Sequence, residues 1–187
     1  MSYAIVTPAT EKPLTSAELK AHLRVLHDLD DTYIDTLQNA AIEEIEIYTD
    51  RQLLPATWVL LLDSFSDEIE ITEKLPLVSI TSVKYYDLNN ELQTVNADNY
   101  TLEKRTNPAI LKINPDKDWP STYSKKNAVE ITFQSGYADK TKVPEAIKHA
   151  IKLMVGNLYT YRDDLQKKTG LTTTSEILLA PYKKPGI

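Results

Sequence analysis

Between Pro144 and Leu165, Ile147, Ala150, Ile151, Met154, Val155, Leu158, Tyr161 and Leu165 recur at steps of three and four. No other stretch restricts the fold so tightly. A helix here presents one apolar stripe about six turns long, which must be buried. Lys148, Lys152 and Thr160 fall on the other side. Pro144 fits the first helical position, where a missing N–H costs nothing. Gly156 is the odd residue, because glycine inside a helix costs about 1 kcal/mol against alanine. Close approach of another backbone is the usual return. By pattern alone this is an amphipathic core helix.

Upstream, Thr15 and Glu18 have capping-box spacing, so a short helix is expected from Ser16 to about Val25 with Leu19, Leu23 and Leu26 inward. The polar break His27-Asp28-Leu29-Asp30-Asp31 resembles the start of a calcium loop. It lacks the glycine needed at the sixth position, and Asn39 stands where the bidentate Glu belongs. It reads instead as the acidic N-terminus of a second helix, about Thr32–Thr49, with Ile34, Leu37, Ala41, Ile45 and Tyr48 on one face. Residues 28–50 hold eight acids and no Lys or Arg. Acids on adjacent turns of an exposed helix are solvated rather than opposed across a cleft, as acid–base catalysis would need. Asp28, Asp31, Asp35, Glu43 and Glu46 are therefore expected to be exposed and to bind no metal.

From Pro55 the period changes from 3.6 to 2. Strands are expected at Thr57–Asp63, Glu68–Thr72, Val78–Asp87, Glu91–Val95, Tyr100–Glu103, Ile110–Ile113 and Asn127–Gln134. The phase of the third slips near Thr81-Ser82, where a bulge fits. Leu88-Asn89-Asn90 reads as a hairpin turn. After the long helix, residues 166–175 show no periodicity and read as a mobile loop. Ile177–Ala180 is a short apolar turn stopped by Pro181, and Tyr182–Ile187 an extended tail. The expected fold is thus α+β: a small bundle of three main helices, an inserted antiparallel β-sheet unit, and an extended C-terminal tail. It is read as a single domain, 1–187, with helical part 13–53 and 140–165, β insert 55–135, and mobile loop and tail 166–187.

The length of 187 residues suits one domain. With no cysteine, a disulfide scaffold, a thiolate zinc site and a cysteine nucleophile are excluded. Four glycines (Gly136, Gly156, Gly170, Gly186) permit neither a Walker loop nor a dinucleotide fingerprint. His22, His27 and His149 lack zinc-ligand spacing. No enzyme, cofactor or metal is therefore expected. The N-terminus lacks a signal peptide's basic start and apolar run, and no window approaches a membrane span, so a cytoplasmic site of synthesis is expected. The formal charge of −6 hides an asymmetry: residues 1–139 carry a net −11 and residues 140–187 a net +5. Such a split argues against a general nucleic-acid binder. It suits a molecule whose ends meet different partners, or copies of itself head to tail.

Taken in order, several segments resemble the head–tail connector (adaptor or head-completion) proteins of tailed bacteriophages and prophages. They are PLTSAELKAHLRV at 13–25, DDTYIDTLQNAAIEEIEIYTDRQL at 30–53, ATW at 56–58 and PLVSITSVKYYD at 76–87. SGYAD at 135–139, VPEAIKHAIKLMVGNLY at 143–159 and LLAPYK at 178–183 follow. In those proteins the second helix often ends Tyr-Thr-Gly-Arg, whereas Asp50 stands here for the glycine, at the position of a left-handed cap.

The resemblance implies a structural ring beneath the portal of a filled capsid, typically of twelve copies in the virion, with a monomer in isolation left open. Its partners would be the portal protein, a tail-side completion or terminator protein, and itself. Ile151, Val155, Gly156 and Leu158 become candidates for subunit packing. Asp31, Asp35, Glu43 and Glu46 become candidates for an acidic lumen, which double-stranded DNA passes without being read, since carboxylates deny it counterion-release binding. Ile177, Leu178, Leu179, Pro181, Tyr182, Lys183 and Lys184 become the candidate portal-binding segment. Deleting 177–187 is expected to leave melting nearly unchanged. The implied location is the head–tail junction of a virion assembled in a bacterial cytoplasm. The rival reading is a DNA-packaging accessory that grips DNA, which needs a basic stripe found only in 140–187.

Overall fold

The computed structural model describes residues 1–104, 108–162 and 171–183. The chain forms two compact units, one of Met1–Thr10 with Pro55–Gly136 and one of Glu11–Leu54 with Tyr137–Ile187.

The first unit is built of strands, with one 3-10 turn at Ala97–Asn99 among its described residues. Its strands are β1 (Ser2–Thr7), β2 (Ala56–Leu62), β3 (Glu68–Ile71), β4 (Leu77–Tyr86), β5 (Leu92–Thr94), β6 (Tyr100–Glu103), β7 (Ala109–Ile113) and β8 (Val129–Ser135). Two antiparallel sheets result, a five-stranded one ordered β1-β2-β8-β4-β5 and a three-stranded one ordered β3-β7-β6. The cleanest alternation in the sequence lies at the centre of the larger sheet. Val129, Ile131 and Phe133 of β8 are fully buried, with Phe133 and Ile131 opposite Trp58 and Leu60 of β2 and Ile131 also opposite Val83 of β4. Ile69, Ile71 and Leu111 from the smaller sheet join the same core. β4 slips register between Ile80 and Ser82, at the expected bulge, and again between Leu77 and Ser79. At the expected hairpin turn, the Asp87 carboxylate accepts the N–H groups of Asn89 and Glu91, and Asn90 takes a φ of 61°.

The second unit holds α1 (Ser16–Leu23), α2 (Asp31–Thr49), α3 (Glu145–Thr160), α4 (Thr173–Leu179) and a 3-10 turn, Ala180–Tyr182. The capping box forms: the Thr15 hydroxyl accepts the Glu18 N–H at 3.2 Å, and the Glu18 carboxylate accepts the Thr15 N–H at 2.7 Å. The Thr15 N–H and hydroxyl, both donating to that carboxylate, hold the Glu18 carboxyl below its ordinary pKa. α3 packs against α1, α2 and α4. It buries Ile147, Ala150, Ile151, Met154 and Val155, while α2 buries Ile34, Leu37, Ala41 and Ile45. The α3 stripe is shorter than expected: Tyr161 is exposed, and Leu165 lies outside the described residues. Pro144 is the N-cap of α3, not its first residue. Buried Gln38 donates its amide to the Leu14 carbonyl at 2.8 Å, tying the segment before α1 to α2.

Both α1 and α2 end in a left-handed residue that is not glycine. Arg24 has φ 58° and Asp50 φ 53°. In each case two N–H groups turn back onto the last-turn carbonyls: Arg24 to Ala21 and Val25 to Lys20, Asp50 to Ile47 and Arg51 to Glu46. These are Schellman caps. The cap at Asp50 is thus made without the glycine. The cap at Arg24 ends α1 two residues early and turns the chain outward. Leu26, expected inward, is 97% exposed.

The three-helix bundle with one small sheet insert is not what forms. The protein is mixed α+β but β-rich, with eight strands in two sheets and four helices among the described residues. Three features account for the difference. The uncharged, β-favouring run SYAIVT at the N-terminus pairs with β2 as an edge strand. The strands at 68–71, 100–103 and 109–113 close a sheet of their own. Residues 173–179, expected as the end of a loop and a short turn, form α4, capped by Thr172, whose hydroxyl accepts the Ser175 N–H at 3.2 Å; beyond Lys183 the expected extended tail lies outside the described residues.

Replacing a left-handed Asp by glycine removes the backbone strain of that conformation. Asp50→Gly is expected to raise stability by about 0.5–1 kcal/mol, seen as a higher urea midpoint at unchanged slope.

Candidate functional site

The C-terminal segment is docked within its own unit. Leu179 is fully buried and Leu178 half-buried, whereas Ile177 is 69% exposed and Pro181 is exposed. Arg51, immediately after the α2 cap, organises the contact. Its Nε donates to the Tyr182 carbonyl at 2.7 Å, and its guanidinium lies 5.9 Å from the centre of the Tyr182 ring. Arg51 also bonds the Tyr137 hydroxyl, whose pKa burial raises and that bond opposes. Lys183 sits over the Tyr48 ring, 4.5 Å from its centre. Of the candidate portal-binding residues, Ile177, Pro181 and Lys183 are thus the outward ones, and Leu179 is committed to the chain's own core. Lys184 lies outside the described residues, as do 166–170 of the expected mobile loop; 173–175 open α4.

The acids of α2 divide into paired and outward groups. Asp31 and Asp28 both meet Lys20, at 2.8 and 2.5 Å, and Asp35 meets Lys12 at 2.5 Å. Lys20 holds the Asp28 carboxyl below its ordinary pKa. Glu46 accepts from the Gln52 amide and the Leu53 N–H, each at 2.8 Å, so it ties down the chain leaving α2. Glu44 accepts the Leu171 N–H at 3.2 Å. Glu43 is exposed. Of the four lumen candidates, then, Glu43 and Asp35 stand exposed, while Asp31 and Glu46 are half-buried and bonded.

Asp30 carries a contact with no signature in the sequence. Although it is the N-cap of α2, its side chain makes no cap bond. Its carboxylate instead accepts from the Tyr159 hydroxyl and, at 3.3 Å, from Arg162 Nη2. The Arg162 guanidinium in turn lies 4.6 and 4.8 Å from the ring centres of Tyr33 and Tyr159. This four-residue clasp fastens the start of α2 to the end of α3. The hydroxyl bond is the main cause of the low Asp30 pKa and of the raised Tyr159 pKa.

On α3, Ile151 and Val155 are covered within the chain, and Leu158 is half-buried. A Cβ on Gly156 would meet His22 Nε2 at 3.5 Å and Leu23 Cδ2 at 3.8 Å, so the close neighbour at this glycine is α1 of the same chain. The fold also brings His22 and His149 together, with ring centres 6.4 Å apart. Burial and the neighbouring His149 and Lys152 lower the His22 pKa. Among the described residues no three His, Cys, Asp or Glu side chains gather as a metal site requires, and no helix is long and apolar enough to cross a membrane. A depression at Asp63, Ser64 and Thr122–Lys126 in the β unit is open and mostly polar.

No family model and no curated protein matches the sequence. Solved structures do match over its whole length. A chain in the neck of an empty GTA particle with C6 symmetry superposes with a TM-score of 0.82 at 20% identity, covering 100% of this chain and 97% of that one. A chain of the virion of the native gene transfer agent (GTA) particle gives 0.79 at 21% identity, with the same coverage. A chain in the neck of the native GTA particle with C12 symmetry gives 0.75 at 19% identity, again over 100% and 97%. The correspondence is one of fold, running end to end with almost nothing left over on either side.

Two outcomes follow from the side-chain geometry. Leu179→Ala is expected to destabilise the protein by about 2–4 kcal/mol, and deletion of 177–187 to lower the melting temperature, contrary to a freely dispensable tail. Both are read by thermal denaturation.

The Asp30–Tyr159 bond adds a pH signature with two limbs. The lowered Asp30 pKa gives stability present above the unfolded value, about 4, and lost as pH falls through the folded one. The raised Tyr159 pKa gives stability present below about pH 10 and lost as pH rises through the folded value. Asp30→Asn is expected to flatten both limbs of the melting-temperature profile and to return the Tyr159 titration toward its ordinary range.

Proposed function

We propose that the chain is a structural, non-catalytic neck protein: a head–tail connector of a tailed-phage-type particle. The observation that carries this reading is the end-to-end correspondence with chains of gene transfer agent necks, at a TM-score of up to 0.82 over 100% of this chain and 97% of the other. The ordered resemblance of its segments to head–tail connectors supports it independently. Twelve copies would ring the channel beneath the portal protein and offer the next docking surface to a tail-side completion or terminator protein. Those neck structures were computed with C6 and C12 symmetry, which supports a multi-copy ring. Synthesis would be in the host cytoplasm and the working location the head–tail junction.

Within that ring, exposed Glu43 and Asp35 are the acids best placed by exposure to face a channel. They would repel passing phosphates instead of gripping them. Ile177, Pro181 and Lys183 are the portal-facing residues of the C-terminal segment, presented on α4 and the turn after it rather than on a free tail.

The test is electron microscopy of the protein mixed with its cognate portal. A twelvefold ring of added density beneath the portal is the expected result. Ile177→Asp is expected to weaken that binding at unchanged melting temperature, since the side chain is 69% exposed. A portal that stays bare in the presence of folded wild-type protein overturns the reading.

A further inference from the structure

The contact between α1 and α3 sets two histidines against each other. His22 lies in the last turn of α1 and His149 in the second turn of α3, with ring centres 6.4 Å apart and planes at 82°. Histidine is the side chain whose charge ordinarily changes between about pH 5 and 8, so the groups around the pair decide whether acid strengthens this contact or weakens it. Both residues are exposed, and protons reach them without any prior opening of the fold.

The groups that act on His22 from α3 are basic: His149 itself, and Lys152 on the next turn. The ring is laid along the α3 backbone. It bonds the Lys152 backbone, and its Nε2 stands 3.5 Å from where a Cβ on Gly156 would be. The carboxylates one turn before each histidine are engaged elsewhere. Glu18 accepts the Thr15 N–H and hydroxyl, each at 2.7 Å, and Glu145 pairs with Lys148 at 2.8 Å. Among the described residues no carboxylate, from α2 or any other element, acts on His22.

Burial first, then His149 and Lys152, hold the His22 pKa below its ordinary value of 6.5. The Lys152 carbonyl and the carbonyl end of α1 pull the other way. With the folded value lowered, the unfolded chain takes up the proton first. Stability from this contact is therefore full above about pH 6.5 and lost as pH falls through the folded value.

We infer that His22, His149 and Lys152 form an acid-sensitive latch between α1 and α3, closed at neutral pH and loosened when the histidines gain charge beside the lysine. The part released is the last turn of α1. The latch belongs to the helical unit alone and does not rest on the neck reading.

The test follows the full chain by NMR between about pH 7.5 and 5, reading the imidazole carbons of all three histidines, with hydrogen exchange corrected for the intrinsic rate. Assignments come from His22→Gln, His27→Gln and His149→Gln. The expected His22 midpoint lies below the ordinary one and moves up in His149→Gln and in Lys152→Gln. Amides 20–24 are expected to lose about threefold more protection on acidification than those of β8. His22→Gln removes that excess. His27→Gln keeps it, since His27 acts on Asp28 and Asp30 instead. A wild-type His22 midpoint at or above the ordinary value overturns the inference. So does a midpoint that neither His149→Gln nor Lys152→Gln moves, or protection in α1 that falls only in step with β8. The wild-type titration and exchange decide the matter even where a variant folds poorly.

Discussion

Burial of one face of α3 is the constraint on which the helical unit depends. Ile147, Ala150, Ile151, Met154 and Val155 are each at most 2% exposed, and α3 touches all three other helices. Covering a large apolar side chain contributes about 1.5–3 kcal/mol, as an upper figure given a compact denatured state. No polar contact in the unit approaches the sum. The polar contacts do a different job: they choose which helix ends meet. Gln38 fixes the entry to α1, the Asp30 clasp fixes the start of α2 against the end of α3, and Arg51 fixes the C-terminal turn. Each uses a group that would otherwise be solvated, so its contribution lies in specificity more than in total stability.

The same division explains what could be read in the sequence. Periodicity reports burial, and the elements held by burial were legible from it. β8, α2, α3 and the strands between Ala56 and Ile113 lie within a few residues of their expected spans. β1 was not legible, because an edge strand with mostly exposed side chains shows no alternation of apolar with polar residues. Its only signal was a six-residue run without charge and rich in β-favouring side chains. α4 was hidden by its length, seven residues, and by two prolines after it that favour an extended reading. Leu26 was placed inward because helical spacing was carried past Leu23. The left-handed turn that breaks it falls on Arg24, a residue that does not announce one.

The candidate site was legible only in part. The acidic run and the apolar C-terminal turn stand out as composition. Their partners do not, since Lys20 with Asp31, Glu46 with Leu53, and Asp30 with Tyr159 are pairings that no local rule connects. Arg51 is the clearest case. In the sequence it is the residue after a helix, and in the fold it holds a backbone carbonyl 131 positions away. That contact and buried Leu179 hold residues 179–182 within their own unit.

The chain passes between its two units at Thr10–Glu11, Leu54–Pro55 and Gly136–Tyr137. Neither unit is therefore a continuous stretch. β1 has no strand to pair with until β2 has been made, about fifty residues later, and the large sheet lacks its centre until β8 at Val129–Ser135. α1 and α2 lack the surface that covers them until α3 is made, from Glu145 onward. On a ribosome adding roughly 5–20 residues per second, neither unit can close until most of the chain has emerged. Both then close within the last few seconds of synthesis. The acidic stretch 1–139, net −11, is the part that waits unfolded, and its self-repulsion helps keep it from associating in the meantime.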